Sequence, residues 1–400
     1  MAASWELCVD FTFCYRVGVR GRVIIVGCDV AGLAVALFLK RAGYEPIVYD
    51  RGRDPRQVPA GLVALTPNGL EVLRTLGLAA AVRVLGQASR RIVLHGQSGE
   101  RLGEVAGDSL LVGRRDLLGV LRSAACRADV PMEFGVSFTG AESRHHDVLV
   151  HFAGRPVTAA HLLLGCDGRW SDVRALVDRD AAPPRFSGVM GCSGFARLPG
   201  LDHADGQLHV TFGQYGCFVY QVLTNGDVFW YQTAAAPDPD SRHRPSAVWR
   251  ARLAELHAGD PAPIADLVRA TEWIDRNAIY TTPSLRSWHR GRICLVGFAA
   301  HGTGEYSAHG VSMELEDAIT LADSLRRNDS VPEAFSGYHR IRHPRAGRVL
   351  GQAVGAGLAI APLDQLGQLV RRIRLPAVVG AAVAETARTY RHRISWDACP

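Results

Sequence analysis

Arg22-Val23-Ile24-Ile25-Val26-Gly27-Cys28-Asp29-Val30-Ala31-Gly32 is the stretch that decides the fold. Its first half is a short β-branched run that stops at a glycine, the pattern of a buried strand. From Gly32 to Gly43, Leu33, Val35, Ala36, Leu37, Leu39 and Ala42 make a helix apolar nearly all round, and Gly43 supplies the stop. Pro46-Ile47-Val48-Tyr49-Asp50 then reads as a second strand ending in an acid. Together these form a βαβ unit, and parallel strands joined in this way require helices on both faces. The expected class is therefore α/β with a Rossmann-like core.

Working outward, Leu117 to Ala125 reads as a helix. Leu162-Leu163-Leu164-Gly165 and Ile293-Cys294-Leu295-Val296-Gly297 read as further buried strands. Between Phe186 and Ile279 the pattern changes to alternation in Leu208–Phe212 and Phe218–Leu223. Asn225-Gly226 then turns the chain into Val228-Phe229-Trp230-Tyr231. An antiparallel sheet with one aromatic face is expected there. After Gly310 the chain reads as helical, broken by Pro332, Pro344, Pro362 and Pro376. Val349 to Ala361 and Pro376 to Ala384 are rich in Ala, Val and Gly, which favours helix packing over a membrane-surface role. The expected organisation is an N-terminal extension over 1–21 and a discontinuous α/β domain over 22–185 and 280–325. A sheet domain over 186–279 and a helical region over 326–400 complete it.

The chain has 400 residues, 48% hydrophobic and 21% charged, which excludes wholesale disorder, collagen and coiled coil. Its net charge of +6 is a weak bias, and no basic run with interleaved aromatics occurs, so nucleic-acid binding is not expected. Lys40 is the sole lysine, which points to a G+C-rich bacterial genome and leaves little for Schiff-base chemistry. The nine cysteines lack zinc-finger or CxxC spacing, and several sit in apolar runs, as expected in a reducing cytoplasm. No secretory leader and no apolar run of about 18 residues is evident, so a cytoplasmic protein without a membrane segment is expected. His145-His146-Asp147 is a tempting metal cluster, but it has no partner spacing and reads as a solvated turn, so no metal is expected.

Three motifs carry chemistry. Gly27 and Gly32 are the first and third glycines of a dinucleotide loop, with Asp29 at the middle position and Asp50 ending the following strand. The second motif is Gly165-Cys166-Asp167-Gly168-Arg169-Trp170-Ser171-Asp172-Val173-Arg174. The third is Gly297-Phe298-Ala299-Ala300-His301, running through Gly304-Glu305-Tyr306-Ser307-Ala308-His309-Gly310 to Glu314, Glu316 and Asp317. Their order, with the intervening sheet and terminal helices, resembles the single-component FAD-dependent aromatic hydroxylases and epoxidases of the p-hydroxybenzoate hydroxylase fold. Leu65-Thr66-Pro67-Asn68-Gly69-Leu70, Arg114-Arg115-Asp116-Leu117 and Tyr338–Arg345 add to the resemblance, which covers nearly everything from Arg22 onward.

The resemblance implies that Gly27, Gly32, Asp50, Arg114, Asp167, Gly168 and Gly310 face FAD, with Asp167-Gly168 also serving NADPH. It also shows where this chain differs: Phe298 stands in place of the aspartate for the ribityl chain, Ala308 in place of a loop glycine, and Glu314 at a normally small position. A carboxylate at Asp29 opposes a diphosphate by about 4 kcal/mol per unit charge at ~4 Å and an effective dielectric near 20. A ribityl hydroxyl buried against Phe298 loses about 1–3 kcal/mol. These residues lead to the expectation of weak or absent FAD and a lipophilic cavity between the α/β unit and the aromatic sheet. Asp29, Glu305, His309 and Glu314 are its candidate acid–base groups, and Phe218, Tyr220, Trp230 and Phe298 its candidate lining. The expected reaction is a non-redox cyclisation or isomerisation of a terpenoid or polyketide intermediate in natural-product biosynthesis. The alternatives are an FAD- and NAD(P)H-dependent hydroxylase or epoxidase, and a non-catalytic binding partner. The oligomeric state is left open.

Overall fold

The computed structural model describes residues 20–54, 61–201, 205–213, 216–302, 309–360, 380 and 383–396. Most of the N-terminal extension, the loop 303–308 with Glu305 and Ala308, and residues 361–379 with Pro362 and Pro376 lie outside the described residues.

The βαβ unit forms as the sequence dictates. Arg22–Val26 pairs in parallel with Glu45–Asp50 on one side and with Leu162–Gly165 on the other. The six-stranded sheet runs His289–Arg290, Ile293–Leu295, Leu162–Gly165, Arg22–Val26, Glu45–Asp50, Met132–Phe134, antiparallel only at its first pair. The strand order reverses direction beside Arg22–Val26, so the crevice at its carboxyl end is the natural ligand position of such a sheet. Helix Val30–Arg41 buries Val30 through Leu39, as its all-round apolarity requires. It packs against helices Arg114–Arg127 and Gly310–Arg327. Gly32 is obligatory at its start, because a Cβ there would meet Gly27 O at 1.9 Å.

The second sheet has eight strands and is wider than the 186–279 stretch. Leu62–Leu65, Gly86–His95 and Arg101–Gly113 join Arg185–Ala196, Gln207–Phe212, Cys217–Val222, Val228–Ala235 and Ile274–Thr281. It is mixed rather than purely antiparallel, since Gln207–Phe212 pairs in parallel with Gly86–His95. The Asn225-Gly226 hairpin forms as expected, with Gly226 at φ +81°. One face is covered by helices Ser246–Leu256 and Ile264–Ala270, which close a second core around Trp230, Trp249, Leu253 and Leu267. A three-stranded sheet, Phe138–Ser143, Val148–Phe152 and Thr158–Ala160, completes the strands.

Among the described residues, helices Gly310–Arg327 and Val331–Ile360 follow the third motif, and residues 383–390 are helical as well. The second continues through Pro344, where the sequence suggested a break. Arg342 and Arg345, flanking that proline, are pinned to buried acids, and these tertiary bonds offset the missing backbone one. Among the described residues no helix is long and apolar enough to cross a membrane.

Candidate active site

The site is built at the carboxyl end of Arg22–Val26. Gly27, at φ +109°, turns the chain so closely over the neighbouring strand end that a Cβ would lie 2.3 Å from Cys166 O. Asp50 secures the loop: its Oδ2 accepts from Cys28 N at 2.7 Å and its Oδ1 from Gly52 N at 2.7 Å. Asp29 is the N-cap of helix Val30–Arg41, and its Oδ1 accepts from Val30 N at 2.7 Å. Its Oδ2 accepts from Arg114 Nη2 in a half-exposed ion pair. The middle position of the glycine loop therefore holds a neutralised carboxylate that satisfies a helix N-terminus, a place suited to an anion.

Glu314 rises from helix Gly310–Arg327 toward the same point. A Cβ on Gly297 would fall 2.9 Å from Glu314 Oε1 and 3.0 Å from Ala31 Cβ. The Glu314 carboxyl thus lies beside the Gly297 turn, close to the first turn of helix Val30–Arg41. The Phe298 N–H faces it and favours its charged form, and its Oε2 is buried without a hydrogen-bond partner among the described residues. Burial first, and then Asp29, push its pKa up to about 8, with Arg114 opposing. At neutral pH Glu314 is a protonated acid beside the Asp29–Arg114 pair. Burial alone would lower Arg114, but Asp29 and Glu314 hold it above its ordinary value.

The second motif packs against the third. Asp167 Oδ2 accepts from Asp172 N at 2.8 Å and Val173 N at 3.3 Å, while its Oδ1 is buried with no partner among the described residues. Burial raises its carboxyl above the ordinary range. Arg174 donates to Ala299 O at 2.9 Å and Ala300 O at 3.2 Å, so its role is to join the two motifs. Gly168 sits at φ +76°.

Beneath the site lies a buried network that sequence reading quoted in pieces but did not assemble. Arg342 pairs with Glu316 and, at 2.6 Å, with Asp317; Arg345 grips Glu316 with two bonds of 2.6 Å. Asp317 Oδ2 also accepts from Gly297 N at 3.0 Å and lies 2.7 Å from His301 Nε2. Asn68 donates to Glu316 at 2.8 Å, and Ser312 Oγ accepts from Thr66 N at 3.0 Å. Burial would raise both acids, yet Arg342 beside them holds them below their ordinary values. The only signal in sequence was the co-occurrence of Thr66-Pro67-Asn68, Glu316-Asp317 and Tyr338–Arg345.

The expected site residues divide. Asp29, Arg114, Glu314 and the Phe298 backbone meet, with Gly27, Gly32 and Asp50 forming the adjoining loop. His309 precedes helix Gly310–Arg327, with its ring 5.7 Å from that of Tyr390; burial and Arg345 push it down to about 4, so it is neutral. Gly310 is buried at the helix start. Glu305 lies outside the described residues.

The aromatic lining is corrected. Phe218 and Trp230 are fully buried, stacked 5.4 Å apart in the core under helices Ser246–Leu256 and Ile264–Ala270, and Trp230 Nε1 donates to Thr271 at 2.8 Å. Tyr220 shares that face and stacks on His209 at 4.6 Å. Strand alternation places all three on one face, but the sequence did not show that helices cover it. His145 and His146 meet edge to face in an exposed bend, and among the described residues no three His, Cys, Asp or Glu gather as a metal site.

A cradle that a Cβ would fill at Gly27 and Gly32, Asp50 fixed at the next strand end, and the orphaned Asp167 Oδ1 fit a dinucleotide such as FAD. Asp29 and Glu314 are the two acids beside the same cradle. Comparison with known proteins agrees with the fold. A family profile described as an FAD binding domain matches residues 20–353. The chain is 31% identical over 367 residues to 3-amino-4-hydroxybenzoate 2-monooxygenase PtnB3 of Streptomyces platensis, covering 82% of this chain and 86% of that one. It is 28% identical over 335 residues to Aurachin C monooxygenase/isomerase of Stigmatella aurantiaca, covering 81% and 85%. The crystal structure of Klebsiella pneumoniae HpxO complexed with FAD and uric acid superposes with a TM-score of 0.79 at 21% identity, covering 92% of this chain and 96% of that one. With the glycine cradle, the acid at the end of the following strand and the Asp-Gly segment in place, and a family match across most of its length, the chain belongs to the FAD-dependent aromatic monooxygenases of the p-hydroxybenzoate hydroxylase type.

Proposed function

We propose that this chain is an FAD- and NAD(P)H-dependent monooxygenase acting on a small aromatic or conjugated lipophilic molecule. The observation that carries the reading is the loop at Gly27 and Gly32, closed on Asp50 at 2.7 Å from Cys28 N. The substrate class is supported by the relatives, whose names specify an aminohydroxybenzoate and aurachin C. The chemistry that the flavin supplies when bound is dioxygen activation with electrons taken from the nicotinamide. Gly27 and Gly32 would let backbone approach the dinucleotide, Asp50 would hold the adenosine ribose, and Arg114 would be the cation available to the diphosphate. Asp167 Oδ1, without a partner among the described residues, would be free to meet the cofactor. The test is direct: protein mixed with FAD should consume NAD(P)H in a substrate-stimulated reaction that needs oxygen. Failure to use nicotinamide with any flavin load would contradict the reading.

A second reading, the non-redox isomerisation or cyclisation, is favoured by one observation. Glu314 is a buried acid that keeps its proton to about pH 8, with an orphaned Oε2. Such a group can deliver a proton to a substrate alkene or epoxide and recover it from the cationic product. Turnover under nitrogen without nicotinamide, lost in Glu314→Gln, would establish it. Oxygen-dependent turnover alone would remove it.

A further inference from the structure

We propose that Asp29 and Glu314 are internal stand-ins for the diphosphate of the dinucleotide: the chain folds with its own carboxyl groups in the two anion sockets, and FAD enters only by displacing them. The inference rests on the flavin reading for the identity of the ligand.

Three observations carry it. The donor at the start of helix Val30–Arg41, which a phosphate would use, is taken by Asp29 Oδ1 at 2.7 Å from Val30 N. The Phe298 N–H faces the Glu314 carboxyl, whose Oε1 lies where a Gly297 Cβ would come within 2.9 Å. Arg114, the nearby cation, is paired with Asp29 and attracted by Glu314. Asp29 thus brings one negative charge, and Glu314 a neutral carboxyl with acceptor oxygens, to the donors and the cation that a diphosphate would use. An N-cap role alone accounts for Asp29 but not for Glu314. That residue is buried among Asp29, Arg114 and Asp317, and among the described residues its Oε2 has no hydrogen-bond partner.

The consequence is a binding equilibrium in which FAD competes with the protein's own side chains. It is read by titrating flavin fluorescence at pH 7 with the full-length wild type, Asp29→Gly, Glu314→Ala and the double variant. Asp29→Asn is included because it retains a good helix cap while freeing Arg114. Each single variant should bind FAD about tenfold more tightly or better, and the double more tightly still. The stand-ins also support the flavin-free fold, so Asp29→Gly should melt at a lower temperature without FAD and gain more on adding it. Tight wild-type binding that no variant improves would overturn the inference and leave the flavin reading intact. Wild type without binding, but variants that bind, would uphold the inference and overturn the flavin reading. Binding by none of them would overturn both.

Discussion

Arg114 Nη2 donates to Asp29 Oδ2, joining the start of helix Arg114–Arg127 to the cap of helix Val30–Arg41 across the mouth of the parallel sheet. The pair changes the meaning of an acid in the glycine loop. Standing alone, Asp29 repels a diphosphate; paired, it costs the site its nearest cation instead. The penalty for cofactor binding is then the parting of two side chains rather than bare repulsion.

Arg114→Ala should leave the chain folded, with a stability loss of about 1–2 kcal/mol, because the pair is only half-buried. FAD affinity should fall at least about tenfold, since the diphosphate loses its cation. Denaturant unfolding and flavin titration measure the two effects. Unchanged affinity would show that Arg114 never leaves Asp29.

Glu314 sets a pH dependence. Its pKa in the folded chain is pushed up to about 8 from the ordinary 4.5 by burial and then Asp29. The folded state therefore keeps a proton that the unfolded chain releases, and stability falls as pH rises from about 4.5 through 8. Arg114 and the Phe298 N–H face the group and favour its charge; Asp29 and Asp317 oppose it. Glu314→Gln should flatten that slope and be more stable than wild type above pH 8, by a few kcal/mol at most. Wild-type FAD affinity should also weaken across pH 8 as Glu314 gains charge, and the Gln variant should not follow.

Arg342 is fully buried between Glu316 and Asp317. Arg342→Ala strands two buried acids and should cost about 3–5 kcal/mol, read as a fall in unfolding midpoint. A loss under 1 kcal/mol would mean that Arg345 and His301 alone hold those acids.

Trp230 separates core from pocket. Trp230→Phe gives up the bond to Thr271 and some packing, and should cost about 1–3 kcal/mol without changing KM for substrate. A large KM change with little loss of stability would return Trp230 to the pocket.

Much of the α/β half was legible because Val23–Val26, Leu162–Leu164 and Ile293–Leu295 are buried on both faces and so have no polar alternation. The eight-stranded sheet was legible only in part. Gly86–His95 and Arg101–Gly113 carry Arg90, Arg91 and Arg101 exposed and Glu104 half-buried, so their strand character was hidden. At the site, the positions of Asp29, Arg114 and Glu314 could be read, but the bond between Asp29 and Arg114 spans 85 residues and leaves no periodic trace. The wrong side was chosen for Phe218 and Trp230 because alternation gives two faces and does not say which one helices will cover.

The most direct measurement is a crystal structure of the full-length protein grown with excess FAD. The account predicts Asp29 drawn away from Val30 N, Arg114 turned onto a phosphate, and the Glu314 carboxyl off Phe298 N. A dinucleotide seated in the glycine cradle with the Asp29–Arg114 pair and the Glu314–Phe298 contact both intact would contradict it.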